Sequence, residues 1–252
     1  NNDIWQLSIY IPSVVKEKID NTNVAEKAGY FLGEFHKALL NFPITELEYT
    51  LPNFHNTIKR YNDFVESINT ATPERLQKAE SEIALLKDKF HTIQEVAFAI
   101  QNGKIPLRVV HNDTKISNML FNDAGNIICL IDYDTIMPGS ILHDIGDALR
   151  TVTNTATEEE MDLQKVNFNS EIYKHFLQGY TKAASSFITD DELKNIHLAL
   201  PLLLFEQACR FLADYLNNDS YYTAHYDDNN LVRAKTQIHL LQQVFIYLNR
   251  IN

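Results

Sequence analysis

Two short segments carry side chains that could do chemistry together. One is His111-Asn112-Asp113-Thr114-Lys115-Ile116-Ser117-Asn118, the other Ile131-Asp132-Tyr133-Asp134. They read as H-x-D-x-x-x-x-N and I-D-x-D. Phosphoryl transfer needs a carboxylate to orient an acceptor hydroxyl and take its proton. It also needs oxygen ligands for Mg²⁺ and a cation to offset developing charge. Asp113 has the type for the first role, Asn118 and Asp132 for the second, Lys115 for the third. His111 reads as a group that orders the loop through hydrogen bonds. Asp134 is either a further metal ligand or a residue that holds its own loop. Asp144 and Asp147, near a helix start, read as caps or supports for the loop. A competing account makes these Asp and Asn residues turn formers, helix caps or solvated charges. It explains each residue singly, but not their order around a strand and a hairpin.

The elements that must position them follow from periodicity. Leu107 to Val110 is a short buried strand, and the loop from His111 to Ser117 follows it. Met119 to Phe121 and Ile127 to Ile131 are two strands joined by the turn Asn122-Asp123-Ala124-Gly125. The hairpin would return Asp132 to the loop that holds Asp113 and Asn118.

Upstream, alternation over residues 4 to 11 predicts a strand ended by Pro12. Asn23 with Glu26 forms a capping-box pattern before a helix whose stripe runs from Val24 to Leu39. A second helix is predicted from about Asn53 to Ile68. A third runs from Glu74 to Gln101 and would form a hairpin with it, and Gly103 breaks the pattern. After Pro138-Gly139 the chain reads as helical almost to its end. Thr189 with Glu192 caps a helix to about Leu216, kinked at Pro201, and the last helix spans about Leu231 to Asn249.

Composition narrows the function classes. A formal net charge of −11 argues against a nucleic-acid surface, which needs clustered Lys and Arg. The two cysteines, Cys129 and Cys209, sit in apolar runs and read as reduced core residues of a cytoplasmic protein. No apolar stretch is expected to be long enough to span a bilayer. H-E-x-x-H, G-x-S-x-G, C/S-x-P-x-R and Walker A patterns are all absent.

At these residues the chain resembles the aminoglycoside phosphotransferase and choline kinase superfamily, and within it the N-acetylhexosamine 1-kinases. The catalytic-loop spacing and the segment Asp144-Ile-Gly-Asp-Ala-Leu-Arg-Thr151 carry the first resemblance. Phe205-Glu206, Arg210-Phe211-Leu212, Asp214-Tyr215-Leu216, Tyr221-Tyr222 and Asn230-Leu231 carry the second. The resemblance implies an α+β, mainly α fold: a protein-kinase-like C-terminal lobe with a small catalytic β hairpin. Residues 1–15 would be the last strand of an N-terminal lobe and the hinge. Residues 16–252 would be the helical lobe, with catalytic loop 111–118 and metal loop 131–134. ATP and Mg²⁺ are the implied cofactors and a small-molecule sugar the implied acceptor. Asp113 would be the base, Asn118 and Asp132 metal ligands, and Arg210 and Tyr221 sugar contacts. Without the resemblance, Arg210 reads as a salt bridge to a neighbouring helix and Tyr221 as a packed loop aromatic.

The departure from the family pattern lies upstream. Only seven glycines are present, and no glycine-rich loop precedes the hinge. The expectation is a fragment of a longer kinase, inactive alone. The alternatives are a phosphotransferase of the same superfamily acting on an amino alcohol, homoserine or an aminoglycoside, and a non-catalytic sugar-binding or regulatory module. No membrane or nucleic-acid partner is expected, and the oligomeric state is not read from these features.

Overall fold

The computed structural model describes Trp5 and residues 9–251. The predicted strand over residues 4 to 11 falls partly on residues 4 and 6–8, which lie outside the described residues. Trp5 and residues 9–11 form no strand. The first strand, β1 (Val14–Val15), begins after Pro12 instead.

Nine helices among the described residues enclose two small sheets. Helix α1 (Thr22–Ala38) starts two residues earlier than its capping-box pattern suggests. The cap is Asn21, whose side chain accepts from the amides of Asn23 and Val24. Helix α2 (Thr57–Thr70) is capped by Asn56, so residues 53–56 belong to the loop before it. The predicted helix 74–101 is two: α3 (Pro73–Lys78) and α4 (Glu80–Gln101), divided at Ala79.

Strands β2 (Arg108–Val110), β3 (Met119–Phe121) and β4 (Ile127–Leu130) lie where the sequence predicts them. The sheet order is β1-β3-β4, all antiparallel. Gly125 takes φ +73° in the β3–β4 turn, a conformation that glycine reaches without Cβ strain. A fifth strand, β5 (Met137–Gly139), pairs antiparallel with β2. The Pro138-Gly139 pair masks it as a turn in the sequence. Gly139 is required there, because a Cβ would collide with Val110.

Helices α5 (Ile141–Val152), α6 (Ser170–Ala184), α7 (Asp190–Asn195), α8 (Ala199–Leu216) and α9 (Asn229–Ile251) complete the fold. Thr189 and Glu192 form the predicted capping box of α7. Pro201 lies in the first turn of α8 after a 3₁₀ turn at Ile196–Leu198, rather than kinking one long helix.

Helix α8 is apolar almost all round and is buried almost all round, packed against α5, α9, α2 and α4. Each buried leucine there contributes on the order of 1.5–3 kcal/mol by leaving water. By composition, the stretch Asp190–Leu216 is long and apolar enough to cross a bilayer, contrary to the sequence reading. Here 78% of its apolar window is buried inside the fold, as suits a core helix. Helices α1 and α6 approach closely because Gly29 faces the Phe176 carbonyl and Gly179 faces the Glu26 carbonyl. Cys209 is buried, whereas Cys129 is only half-buried on the hairpin, outside the core assigned to it from sequence.

Candidate active site

Strand β2 delivers the chain into the loop that holds Asp113. The Asp113 carboxylate accepts from Lys115 Nζ at 2.7 Å and from Asn118 Nδ2 at 2.9 Å. The same Nδ2 donates to the Asp113 main-chain oxygen at 2.8 Å. One amide thus fixes both ends of the residue, while Asn118 Oδ1 is left without a bond among the described residues. The side chain of Asp113 is 23% exposed, open enough to meet a substrate.

The loop hangs on Asp144, in the first turn of α5. Its carboxylate accepts from the amides of His111 and Asn112 at 2.8 and 2.6 Å and lies 2.9 Å from His36 Nε2. Its main-chain oxygen accepts from Thr114 Oγ1 at 2.6 Å. Burial alone would raise the Asp144 pKa. The hydrogen bond and charge of His36, with His111, hold it below the ordinary value instead. The buried carboxylate is therefore ionised and its acceptor sites are filled. Asp147, one turn on, pairs with Arg150 at 2.8 Å.

His111 joins the two segments. Its Nε2 lies 3.0 Å from the Ile131 carbonyl, which can only accept. Nδ1 is then the bare nitrogen, and it accepts from the Asp113 amide at 3.3 Å. The Ile131 amide donates to Asn118 O at 3.0 Å, so Asp132 follows directly on the residue tied to Asn118. Asp132 sits at φ +69°, exposed, and its side chain makes no bond among the described residues. Asp134 is also exposed, and its main-chain oxygen accepts from Thr50 Oγ1. The Asn118 amide oxygen and the Asp132 carboxylate, both uncommitted among the described residues, are hard oxygen donors of the kind that Mg²⁺ takes.

Two clefts adjoin each other, and the larger reaches the loop at Asn112. One, about 380 Å³, is lined by Arg210 and Tyr221 together with Phe54, Arg60, Asp63, Asp214 and others. The Arg210 guanidinium lies 5.3 Å from the Phe54 ring centre and 5.7 Å from that of Tyr222. No salt bridge of Arg210 occurs among the described residues, against the neighbouring-helix pairing. Tyr221 is 75% exposed, against the packed alternative. Asp214 is fully committed: it accepts from the amides of Tyr221 and Tyr222 and from Asn230 Nδ2. Asp63 is paired with Lys59 at 2.7 Å. The other cleft, about 520 Å³, includes Asn112, His55 and His143 and shares Leu51, Pro52 and Phe54 with the first. Asp113, Lys115, Asn118 and Asp132 line neither cleft.

Sequence reasoning did not single out His55, and Glu206 entered only as part of the resemblance, with no role. His55 Nδ1 lies 2.7 Å from Glu206 Oε1, and its Nε2 lies 2.9 Å from Asn112 O. Thr57 Oγ1 donates to the other Glu206 oxygen at 2.7 Å. One signal was available: Glu206 is the first carboxylate in the apolar run that opens α8, and a carboxylate in such a place must find partners.

Residues 8–182 match the model of the phosphotransferase enzyme family. Among solved structures, an aminoglycoside phosphotransferase from Alicyclobacillus acidocaldarius subsp. acidocaldarius DSM 446 superposes with a TM-score of 0.58 at 15% identity. The match covers 91% of this chain and 67% of that one. A spectinomycin phosphotransferase, in complex with ADP and spectinomycin, gives 0.59 at 14% identity over 95% of this chain and 70% of that one. A glucosamine kinase gives 0.56 at 14% identity over 88% of this chain and 53% of that one. At these identities the likeness is one of fold, and this chain spans little more than half the length of the glucosamine kinase.

Proposed function

The chain belongs to the phosphotransferase enzyme family, and from that membership we propose that it serves an ATP- and Mg²⁺-dependent kinase of a sugar hydroxyl. The proposed acceptor is the anomeric 1-OH of an N-acetylhexosamine. Asp113 would align the hydroxyl and take its proton as the γ-phosphoryl group is attacked in line. Asn118 and Asp132 would hold Mg²⁺, with Asp134 beside them. The ion, when bound, would offset phosphate charge. Lys115, now on Asp113, would steady the transferred phosphoryl group.

The observation that carries this reading is the shared grip of Lys115 and Asn118 on the Asp113 carboxylate, one backbone hydrogen bond from the turn that presents Asp132. The choice of a neutral sugar over an amine rests on the smaller cleft. Its two carboxylates already have partners, Asp63 the Lys59 ammonium and Asp214 the amides of Tyr221, Tyr222 and Asn230, while the Arg210 guanidinium on aromatic faces makes no ion pair among the described residues. A cationic acceptor calls for free carboxylates there.

The test is ADP release by the longest form of the protein that its gene encodes, with Mg²⁺. The acceptor panel is N-acetylhexosamines, hexoses, choline, homoserine and aminoglycosides. Turnover with an N-acetylhexosamine, lost when the 1-OH is blocked as a methyl glycoside, is the expected result. Turnover on an amine alone would discard the acceptor. Silence across the panel would favour a non-catalytic module.

A further inference from the structure

Asn112 precedes the proposed base and sits at φ +65°, a left-handed conformation that costs a non-glycine residue on the order of 1 kcal/mol. Such strain persists where the surroundings over-determine it. Here three of the residue's four polar groups are held. Its amide donates to Asp144, its Nδ2 donates to Thr135 O at 2.9 Å, and its carbonyl faces His55 Nε2.

His55 is the member of this set that comes from upstream of strand β2. Its two ring nitrogens face a carboxylate and a carbonyl, both acceptors. An imidazole can satisfy both only with a proton on each nitrogen. We propose that His55, as an imidazolium anchored on Glu206, is a positioning residue that fixes the Asn112 carbonyl and so the direction in which Asp113 leaves the loop.

The groups around it agree with that charge. Glu206 approaches from α8, and Asp147 on α5 also favours the protonated ring. His143 on α5 lies against the His55 ring at 5.1 Å between centres and is held neutral, so it adds no competing charge. Phe54 closes an edge at 4.7 Å. Burial opposes the imidazolium, but the charge and hydrogen bond of Glu206 outweigh it and the His55 pKa is raised.

The catalytic part of the proposal rests on the kinase reading above; the clamp itself does not. Nitrogen-15 NMR of the imidazole in the full-length protein reads the clamp. The expected spectrum has both His55 nitrogens protonated at pH 7. In Glu206→Gln, His55 should lose its proton at lower pH than in the wild type, because burial then works against the imidazolium without the Glu206 charge. A bare ring nitrogen at pH 7 in the wild type, including one that accepts from a protonated Glu206, overturns the proposal.

Kinetics reads the positioning. His55→Gln can bond one partner but not both, and should lower kcat roughly 10- to 100-fold with acceptor KM unchanged. In Glu206→Gln, kcat should decline on the alkaline side as His55 deprotonates. A KM-only effect, or no effect in either variant, overturns the proposal. If His55→Gln does not fold, the pH profile of Glu206→Gln decides. If the wild type turns over nothing on the panel, the kinase reading fails and amide exchange decides the clamp. Faster exchange at Asp113 and Thr114 in the folded variants supports it, and unchanged exchange overturns it.

Discussion

Asn118 Nδ2 donates to both the main-chain oxygen and the carboxylate of Asp113, at 2.8 and 2.9 Å. Replacing Asn118 would therefore do two things: free the base from its grip and remove a proposed metal ligand. Asn118→Ala should reduce kcat and also raise the Mg²⁺ concentration needed for half-maximal rate. Magnesium titrations of wild type and variant separate the two effects. A change in kcat with unaltered metal dependence would leave Asn118 only the orienting role.

Asp113→Ala should lower turnover by roughly 10²- to 10⁴-fold, the range that positioned general bases contribute. Nucleotide affinity should be preserved, because Asp113 is assigned to the acceptor. Calorimetric titration with an ATP analogue beside steady-state kinetics checks this. Equal losses in both would remove the base assignment.

Asp132→Ala should weaken Mg-ATP binding together with turnover. Its side chain makes no hydrogen bond or ion pair among the described residues, so folding stability should change by no more than about 0.5 kcal/mol. A large thermal shift would mean that Asp132 holds the loop instead.

Arg210→Ala should raise acceptor KM more than it lowers kcat, since Arg210 lines the cleft away from the Asp113 loop. The effect should be absent for ATP. An equal rise in the KM for ATP would place Arg210 on nucleotide rather than acceptor.

Stability should depend on pH through the buried His55–Glu206–His143 cluster. Burial and the neighbouring His55 charge push His143 down to about 4 from an ordinary 6.5. Between those values the unfolded chain binds a proton that the folded one does not, so stability falls as pH drops from 6.5 towards 4. Glu206 is opposed by burial, yet His55 holds it at about 2. Its contribution is full above the ordinary 4.5 and is lost as pH falls towards 2. His55, with its raised pKa, acts in the other direction. Its contribution is full below 6.5 and is lost as pH rises through the folded value. Melting temperature against pH should show both limbs, and His143→Phe should flatten the one between 6.5 and 4.

Much of the site's framework was legible along the chain. The loop from His111 to Asn118, strands β3 and β4, and the turn between them show as local patterns, because hairpins and their turns are fixed by neighbours in sequence. The mainly helical fold follows from stripes at helical spacing, whose apolar faces must be buried together. Where the sequence misled, a local signal was ambiguous. Asn21 and Asn23 are both capable caps. Ala79 gives no warning of a break. Met137-Pro138-Gly139 looks like a turn until β2 is beside it.

The sequence alone determined which residue types could take a proton and bind a hard cation, and in what order they follow the strand and the hairpin. Only the tertiary structure decided what holds them. Glu206 and His55 are 151 residues apart, and nothing local to either reveals the other. Their meeting depends on α8 lying beneath the loop before α2, a matter of long-range packing. The same holds for Asp144 beneath Asn112 and for Arg210 on Phe54. Short-range patterns specify elements because backbone hydrogen bonds and turns are local. The partners of a buried charge are chosen by how those elements pack, where burial makes each unpaired charge too costly to leave.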